Sequence, residues 1–311
     1  RASIMALKRL SPNTQDFIVA SRMSFKSRSA ILPLSSFWMS LYSLETINVR
    51  TTLENELHKA VEKAQFHLHY QVQMDGSRRP IGAEALIRWQ HPERGLILPA
   101  MFIPLAEETG LIHAIGEWVI ETACTQLGEW QKDVLTRDLT LAVNVSARQF
   151  QQADFVAQVR AAVQRYLISP KSLKLELTES LLQEDMEVTI SAMKILNEIG
   201  VQFSLDDFGT GYSSLQYLKQ LPLSQFKIDR SFVRDIAIDS IDRAITKTII
   251  SLAHSLNINV IAEGVETEEQ LQLLVDNGCT SFQGYLLGKP VPIDQFKALL
   301  KEKNLLANTH G

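Results

Sequence analysis

The chain has 311 residues, 45% apolar and 21% charged, with two cysteines. That balance suits a globular protein with a sizeable core and excludes a fibrous or wholly disordered chain; Cys124 and Cys279 are too few for a disulfide scaffold and show no metal-ligand spacing, as expected of a reducing compartment. Charge is uneven: residues 1–50 carry seven basic against two acidic side chains, leaving the rest of the chain at −9, which argues against DNA or RNA as a partner of the main body.

Residues 1–50 differ in character from the rest of the chain. They hold ten serines and one apolar run, Ala30 to Leu44, interrupted by Ser35, Ser36 and Ser40. The run lies late for a signal peptide, no clean cleavage site succeeds it, and it falls short of the roughly 20 residues of a membrane span. The reading favours a poorly structured leader, linker or remnant of an upstream module, with a membrane- or partner-docking segment as the alternative. The expected location is accordingly cytoplasmic, with a missing or N-terminal segment as the route to membrane association. The organised domain is expected over 51–303, with a C-terminal tail over 304–311.

From residue 51 onward, β-rich apolar runs alternate with amphipathic stretches. The predicted strands are Phe66 to Gln73, Pro80 to Trp89, Leu139 to Ser146, Leu173 to Thr178, Gln202 to Asp207, Gln225 to Ile228, Val260 to Glu263 and Thr280 to Tyr285. Predicted helices include Asp154 to Leu167, Glu187 to Ile199, Ile241 to Leu256 and Glu268 to Asp276, the last opened by Thr267 as N-cap and closed by Asn277-Gly278. Eight strands with intervening helices match a TIM (β/α)8 barrel, typically about 250 residues, with a doubly wound open sheet as the alternative. Only Met74 to Arg79, containing Asp75-Gly76, separate the first two strands, too few for a parallel crossover. The fold class is therefore α/β, a modified TIM barrel with one antiparallel strand.

Polar residues recur within or at the ends of these apolar runs: Glu84, Asn144, Glu176, Asp206 and Asp207, Lys227 and Asp229, Glu263 and Glu266. In a barrel the carboxyl ends of the strands converge on one face, where active sites are built. Glu179, Asp207 and Glu266 precede helices and equally suit a helix dipole, whereas Glu84, Glu176, Asp206 and Glu263 lie where burial is expected. Four carboxylates sharing a cavity repel one another and require positive charge. Lys227 and Arg88 do not balance them, so divalent cations are favoured; oxygen donors without His or Cys select Mg2+ or Mn2+ over zinc, and calcium would bind but catalyse poorly. The histidines, including His67 and His69, read as core or surface residues. Asp206-Asp-Phe-Gly-Thr-Gly-Tyr-Ser-Ser214 reads as a ligand- or metal-organising loop, with Gly209 and Gly211 permitting tight turns.

These residues resemble the EAL domain family of cyclic di-GMP phosphodiesterases. The resemblance spans roughly residues 51–303 and rests on Glu84-Ala-Leu-Ile-Arg88, Asn144-Val-Ser146, Glu176-Leu-Thr-Glu179, Asp206-Asp-Phe-Gly-Thr-Gly211, Lys227-Ile-Asp229, Glu263-Gly-Val-Glu266 and Gln283-Gly-Tyr285. It implies hydrolysis of cyclic di-GMP to linear pGpG by two-metal activation of water, with Ca2+ as an inhibitor. Glu84, Asn144, Glu176 and Asp206 are then the ligands of one metal, and Asp206, Asp207 and Glu263 surround a second. Lys227 holds the attacking water or hydroxide, Asp229 steadies Lys227 and its neighbours, Arg88 meets a substrate phosphate, and Gln71 and Gln283 meet guanine edges. Glu179 anchors the loop after Asp207, and Glu266 supports the site from behind its ligands. The resemblance further implies a homodimer and an upstream sensor or membrane module.

Two departures stand out: Tyr70-Gln-Val-Gln73 replaces the usual Tyr-Gln-Pro, and Gly288-Lys-Pro290 replaces Ser-Arg-Pro or Gly-Arg-Pro. Both bear on substrate affinity and not on the metal set. The main rival reading is a catalytically silent cyclic di-GMP receptor; a carbon-acid barrel of the enolase kind has weaker support.

Overall fold

Period-two alternation of side chains organises the strands. The computed structural model describes residues 51–179, 181, 186–209 and 218–309, with side chains as far as residue 303. Gly211 and the residues around it, 210–217, lie outside the described residues, as do 1–50. The described residues from 54 onward form one compact unit, and a first helix, α1, spans 51–62.

Strands β1 (Phe66–Asp75) and β2 (Pro80–His91) form an antiparallel hairpin in which Gln71 faces Glu84. A short β3 (Gly95–Ile97) folds back on the end of β2. The remaining strands are parallel to one another: β4 (Thr140–Val145), β5 (Leu173–Thr178), β6 (Gln202–Phe208), β7 (Gln225–Ile228), β8 (Asn259–Ala262) and β9 (Ser281–Phe282). Antiparallel pairing of β9 with β1 closes the ring, which excludes the open-sheet alternative and leaves β1 as the reversed strand. All eight predicted strands are present. The short β3 is additional, and the last predicted strand shrinks to two residues, so that Gln283 to Tyr285 succeed it as irregular chain.

Helices clothe the ring: α2 (Pro99–Thr109), α3 (Ile112–Trp130), α4 (Ala147–Phe150), α5 (Phe155–Arg165), α6 (Met186–Glu198), α7 (Arg230–Arg234), α8 (Ser240–Ser255), α9 (Glu268–Asp276) and α10 (Ile293–Thr309). Thr267 caps α9 through a reciprocal box with Gln270, as its sequence predicts. Outward-facing strand residues such as Leu141, Leu175, Phe203, Phe226 and Phe282 are fully buried and form the core with Phe155, Met193, Ile250 and Leu274 of the helices. Each contributes about 1.5–3 kcal/mol by leaving water. Inward-facing residues are largely polar, in contrast to the branched apolar layers usual in such barrels.

Candidate active site

Alternation places Glu84, Asn144, Glu176, Asp206, Lys227 and the residue just past β8, Glu263, on the inner face. Register locks the first three side by side, because Glu84 pairs with Ala142 while Asn144 pairs with Glu176. Their focus is the Lys227 ammonium, whose Nζ lies 2.5 Å from Glu263 Oε1, 2.6 Å from Glu176 Oε2, 3.3 Å from Asp206 Oδ1 and 3.8 Å from Glu84 Oε2. Lys227 is 1% exposed, which alone would discharge it; the four carboxylates outweigh that burial and hold its pKa well above the usual lysine value.

The acids respond unequally. Burial, with Glu84, Asp206 and Glu263 nearby, drives Glu176 well above the usual carboxylate range, and burial with Asp206 and Glu84 lifts Glu263 to about 8. Glu84 goes the other way. Burial opposes its ionisation, but Lys227 and amide donors from Gln283 and Asn144 hold its pKa below the usual value. Asn144 Nδ2 donates to Glu84 Oε1 at 2.6 Å, which turns the Asn144 carbonyl oxygen away from Glu84 and leaves it available as a ligand.

The alternation breaks at Asp207. The β6–β7 register shifts between Leu205 and Phe208, and Asp207 adopts a left-handed φ of 54°, an unusual conformation that Asp tolerates better than most residues. This irregularity brings Asp207 to the same cavity as Asp229 and Glu263. Burial, then Asp206 and Asp229, lift Asp207 to about 6. Asp229 itself caps α7 by accepting from the Ser231 backbone N–H at 3.0 Å.

Arg88 is 9% exposed, donates to the Ile87 carbonyl at 2.8 Å and lines the cavity. Gln71 and Gln283 are buried, with Gln283 donating to Gln71 and to Glu84. Glu179 is buried next to the end of β5, Glu266 lies exposed on the cavity wall, and Gly209 comes directly after β6 with φ 97°. Two glycines of the motifs have steric causes: a Cβ at Gly264, where φ is 68°, would meet Arg230 Cβ at 2.6 Å, and one at Gly284 would meet the Val265 carbonyl at 2.1 Å.

Two cavities meet at Glu84. One, of about 930 Å³, is polar and lined by Gln71, Arg88, Asp207, Arg230, Glu263 and Gln283. The other, of about 900 Å³, is mainly apolar and lies between Leu86, Ile103, Pro104, Val119 and the segment from Asn144 to Gln149. Sequence reasoning missed the apolar cavity, and it missed the buried polar floor beneath the acids. There Lys174, 7% exposed and lowered to about 8 by burial and Lys227, donates to Gln225 at 2.9 Å. The inward positions two residues before Glu176, Asp206 and Lys227, held by Lys174, Ser204 and Gln225, carried that signal. His67 and His69 also share the inner face, opposite Arg88 and Leu86.

The donors suit a hard divalent cation in one further respect. Glu176 Oε1 is buried without a hydrogen-bond partner among the described residues, an acceptor that a cation would satisfy. As placed, the acids close on Lys227, and no group of three His, Cys, Asp or Glu forms a ready-made cage among the described residues. No helix among them is long and apolar enough to cross a membrane.

Comparison with known proteins bears on this site. The EAL domain model matches residues 54–290. The chain is 49% identical over 247 residues to MucR of Pseudomonas aeruginosa, named a bifunctional diguanylate cyclase/cyclic di-GMP phosphodiesterase, covering 79% of this chain and 36% of that protein. It is 41% identical over 252 residues to the cyclic di-GMP phosphodiesterase NbdA of the same organism, covering 80% and 32%. The chain thus spans about a third of the length of these relatives. Among solved structures it resembles the MucR phosphodiesterase in complex with c-di-GMP at a TM-score of 0.77 and 48% identity, covering 79% of this chain and 99% of that one. It also resembles the EAL enzyme Bd1971 in its cAMP- and cyclic-di-GMP-bound form, at a TM-score of 0.79 and 31% identity, covering 96% and 78%. With the barrel, the acid cluster and the family match in agreement, the chain belongs to the EAL domain family.

Proposed function

We propose that this domain hydrolyses one phosphodiester of cyclic di-GMP to linear pGpG with the aid of two divalent cations, Mg2+ or Mn2+. The observation that carries the reading is the buried inner-face cluster of Glu84, Glu176, Asp206 and Glu263 about Lys227, with a Glu176 oxygen left unsatisfied. Glu84, Asn144, Glu176 and Asp206 would hold one cation, and Asp206, Asp207 and Glu263 the other. When bound, such ions lower the pKa of water, neutralise phosphoryl oxygens and stabilise the leaving 3′ oxygen.

The chain's own groups supply the rest. Lys227, kept charged by its acidic neighbours, donates hydrogen bonds that hold the attacking water. Asp229 braces this corner from the N-cap of α7, beside Asp207. Arg88 offers its guanidinium to a phosphate in the polar cavity. The two cavities joined at Glu84 suit an elongated dinucleotide that lies across the acids, so that one phosphorus is in line with the water. Glu179 and Glu266 support the loops around the site. A homodimer and an attached upstream module complete the reading, the latter supported by the greater length of the relatives.

The test is turnover by the purified full chain. Release of pGpG with Mg2+ or Mn2+, abolished by EDTA and inhibited by Ca2+, is the expected result. Binding of cyclic di-GMP without any pGpG favours the receptor reading.

A further inference from the structure

Three buried glutamines run in a chain toward Glu84. Gln73 Nε2 donates to Gln283 Oε1 at 2.9 Å, and Gln283 Nε2 donates to Glu84 Oε2 at 2.5 Å and to Gln71 Oε1 at 3.1 Å. Gln71 Nε2 in turn donates to the Gly288 carbonyl at 3.1 Å. Hydrogen-bond chemistry fixes every amide in this set. An ionised carboxylate only accepts, so the NH2 of Gln283 must face Glu84; its carbonyl must then face Gln73, which has to present its own NH2. The Gln73 NH2 therefore reinforces the one orientation in which Gln283 donates to the carboxylate.

Gln73 is 1% exposed, on an inner face that also accepts the apolar Ala142 and Ile261, both fully buried. Burying an amide there costs free energy that only its hydrogen bonding offsets. Both N–H donors of Gln283 are committed, one to Glu84 and the other to Gln71, and its oxygen accepts from Gln73.

We propose that Gln73 is a positioning residue that acts through Gln283 to orient the Glu84 carboxylate for cation binding. This rests on the proposed function and departs from what the family resemblance implies for one residue: Gln283 serves Glu84 rather than a guanine edge. The relay makes a signed prediction. Gln73→Leu removes the donor and leaves Gln283 free to rotate. Gln73→Glu does more, because a carboxylate at 73 calls for the Gln283 NH2 and so turns the Gln283 carbonyl toward Glu84, acceptor against acceptor.

The experiment titrates Mn2+ into the full chain as wild type, Gln73→Leu and Gln73→Glu by calorimetry, with melting in EDTA as the control for folding and steady-state kinetics on cyclic di-GMP alongside. Supporting partners behind a metal ligand typically contribute 10–100-fold to affinity. Gln73→Leu should weaken Mn2+ binding about tenfold, and Gln73→Glu should weaken it further. For Gln73→Leu, kcat at limiting Mn2+ should fall and recover at saturating Mn2+, with KM for cyclic di-GMP within about twofold of wild type. If Gln73→Glu does not fold, Gln73→Leu alone decides. Wild-type protein that binds Mn2+ while the folded variants bind it equally, or variants that raise only KM, overturn the relay and return Gln283 to the base. Wild-type protein that takes up no Mn2+ sinks the site reading and the relay with it.

Discussion

The two faces of the barrel strands obey opposite rules. On the outer face, Leu141, Leu175, Phe203, Phe226 and Phe282 sit at 0% exposure against the helices. On the inner face, at comparable burial, stand Gln73, Glu84, Lys174, Glu176, Ser204 and Lys227. Stability and chemistry are thus separated by a single step along each strand. The helix-facing layer supplies the hydrophobic free energy that lets the lumen carry mutually repelling acids.

That separation is open to breaking from either side. The largest effect belongs to the lumen: Glu84→Ala or Asp206→Asn should reduce turnover to background while leaving the melting temperature of the metal-free protein within a few degrees of wild type, checked by pGpG release and calorimetry. A collapse of the fold in these variants would show that the acids are part of the framework. Phe203→Ala, one face away, should cost about 3–5 kcal/mol by denaturant unfolding, with the kcat of the protein that remains folded nearly unchanged. Gly284→Ala lies between the two layers. Its new methyl meets the Val265 carbonyl, so it should lose about 1–3 kcal/mol and, by displacing Gln283, part of its turnover.

The smallest effect is in pH. In the metal-free fold Asp207 is lifted to about 6 and Glu263 to about 8, chiefly by burial and neighbouring carboxylates, whereas both ionise near 4 in the unfolded chain. Between these values the native state holds more protons than the unfolded state. Stability contributed by these two groups is therefore fully present below about pH 4 and is lost as pH rises toward 8. Melting of EDTA-treated protein should fall across that window, and Mn2+ should flatten the fall because it binds the deprotonated acids. An identical slope with and without Mn2+ would place these acids outside the cation site.

The outer face was the legible one. Short β-rich runs, punctuated by single polar residues, gave every barrel strand, and the six residues between the first two predicted strands gave the reversed one. Single carboxylates inside those runs marked Glu84, Glu176 and Asp206, because an acid among buried neighbours is conspicuous. Gln73, Lys174 and Gln225 were not singled out, since neutral amides and an isolated lysine resemble ordinary surface residues until register shows that they face inward. The turn of Asp207 onto the site depends on a register shift and a left-handed backbone, neither of which a pattern of residue types encodes. The apolar cavity beside α2 and α3 arises from packing between segments distant in sequence, beyond the reach of local periodicity.

The central claim is that the lumenal acids are held together for paired divalent cations. Anomalous diffraction at the manganese edge, from crystals grown with Mn2+, tests it most directly. The account predicts two peaks among Glu84, Asn144, Glu176, Asp206, Asp207 and Glu263; a map without peaks there, with the acids still gathered on Lys227 alone, would contradict it.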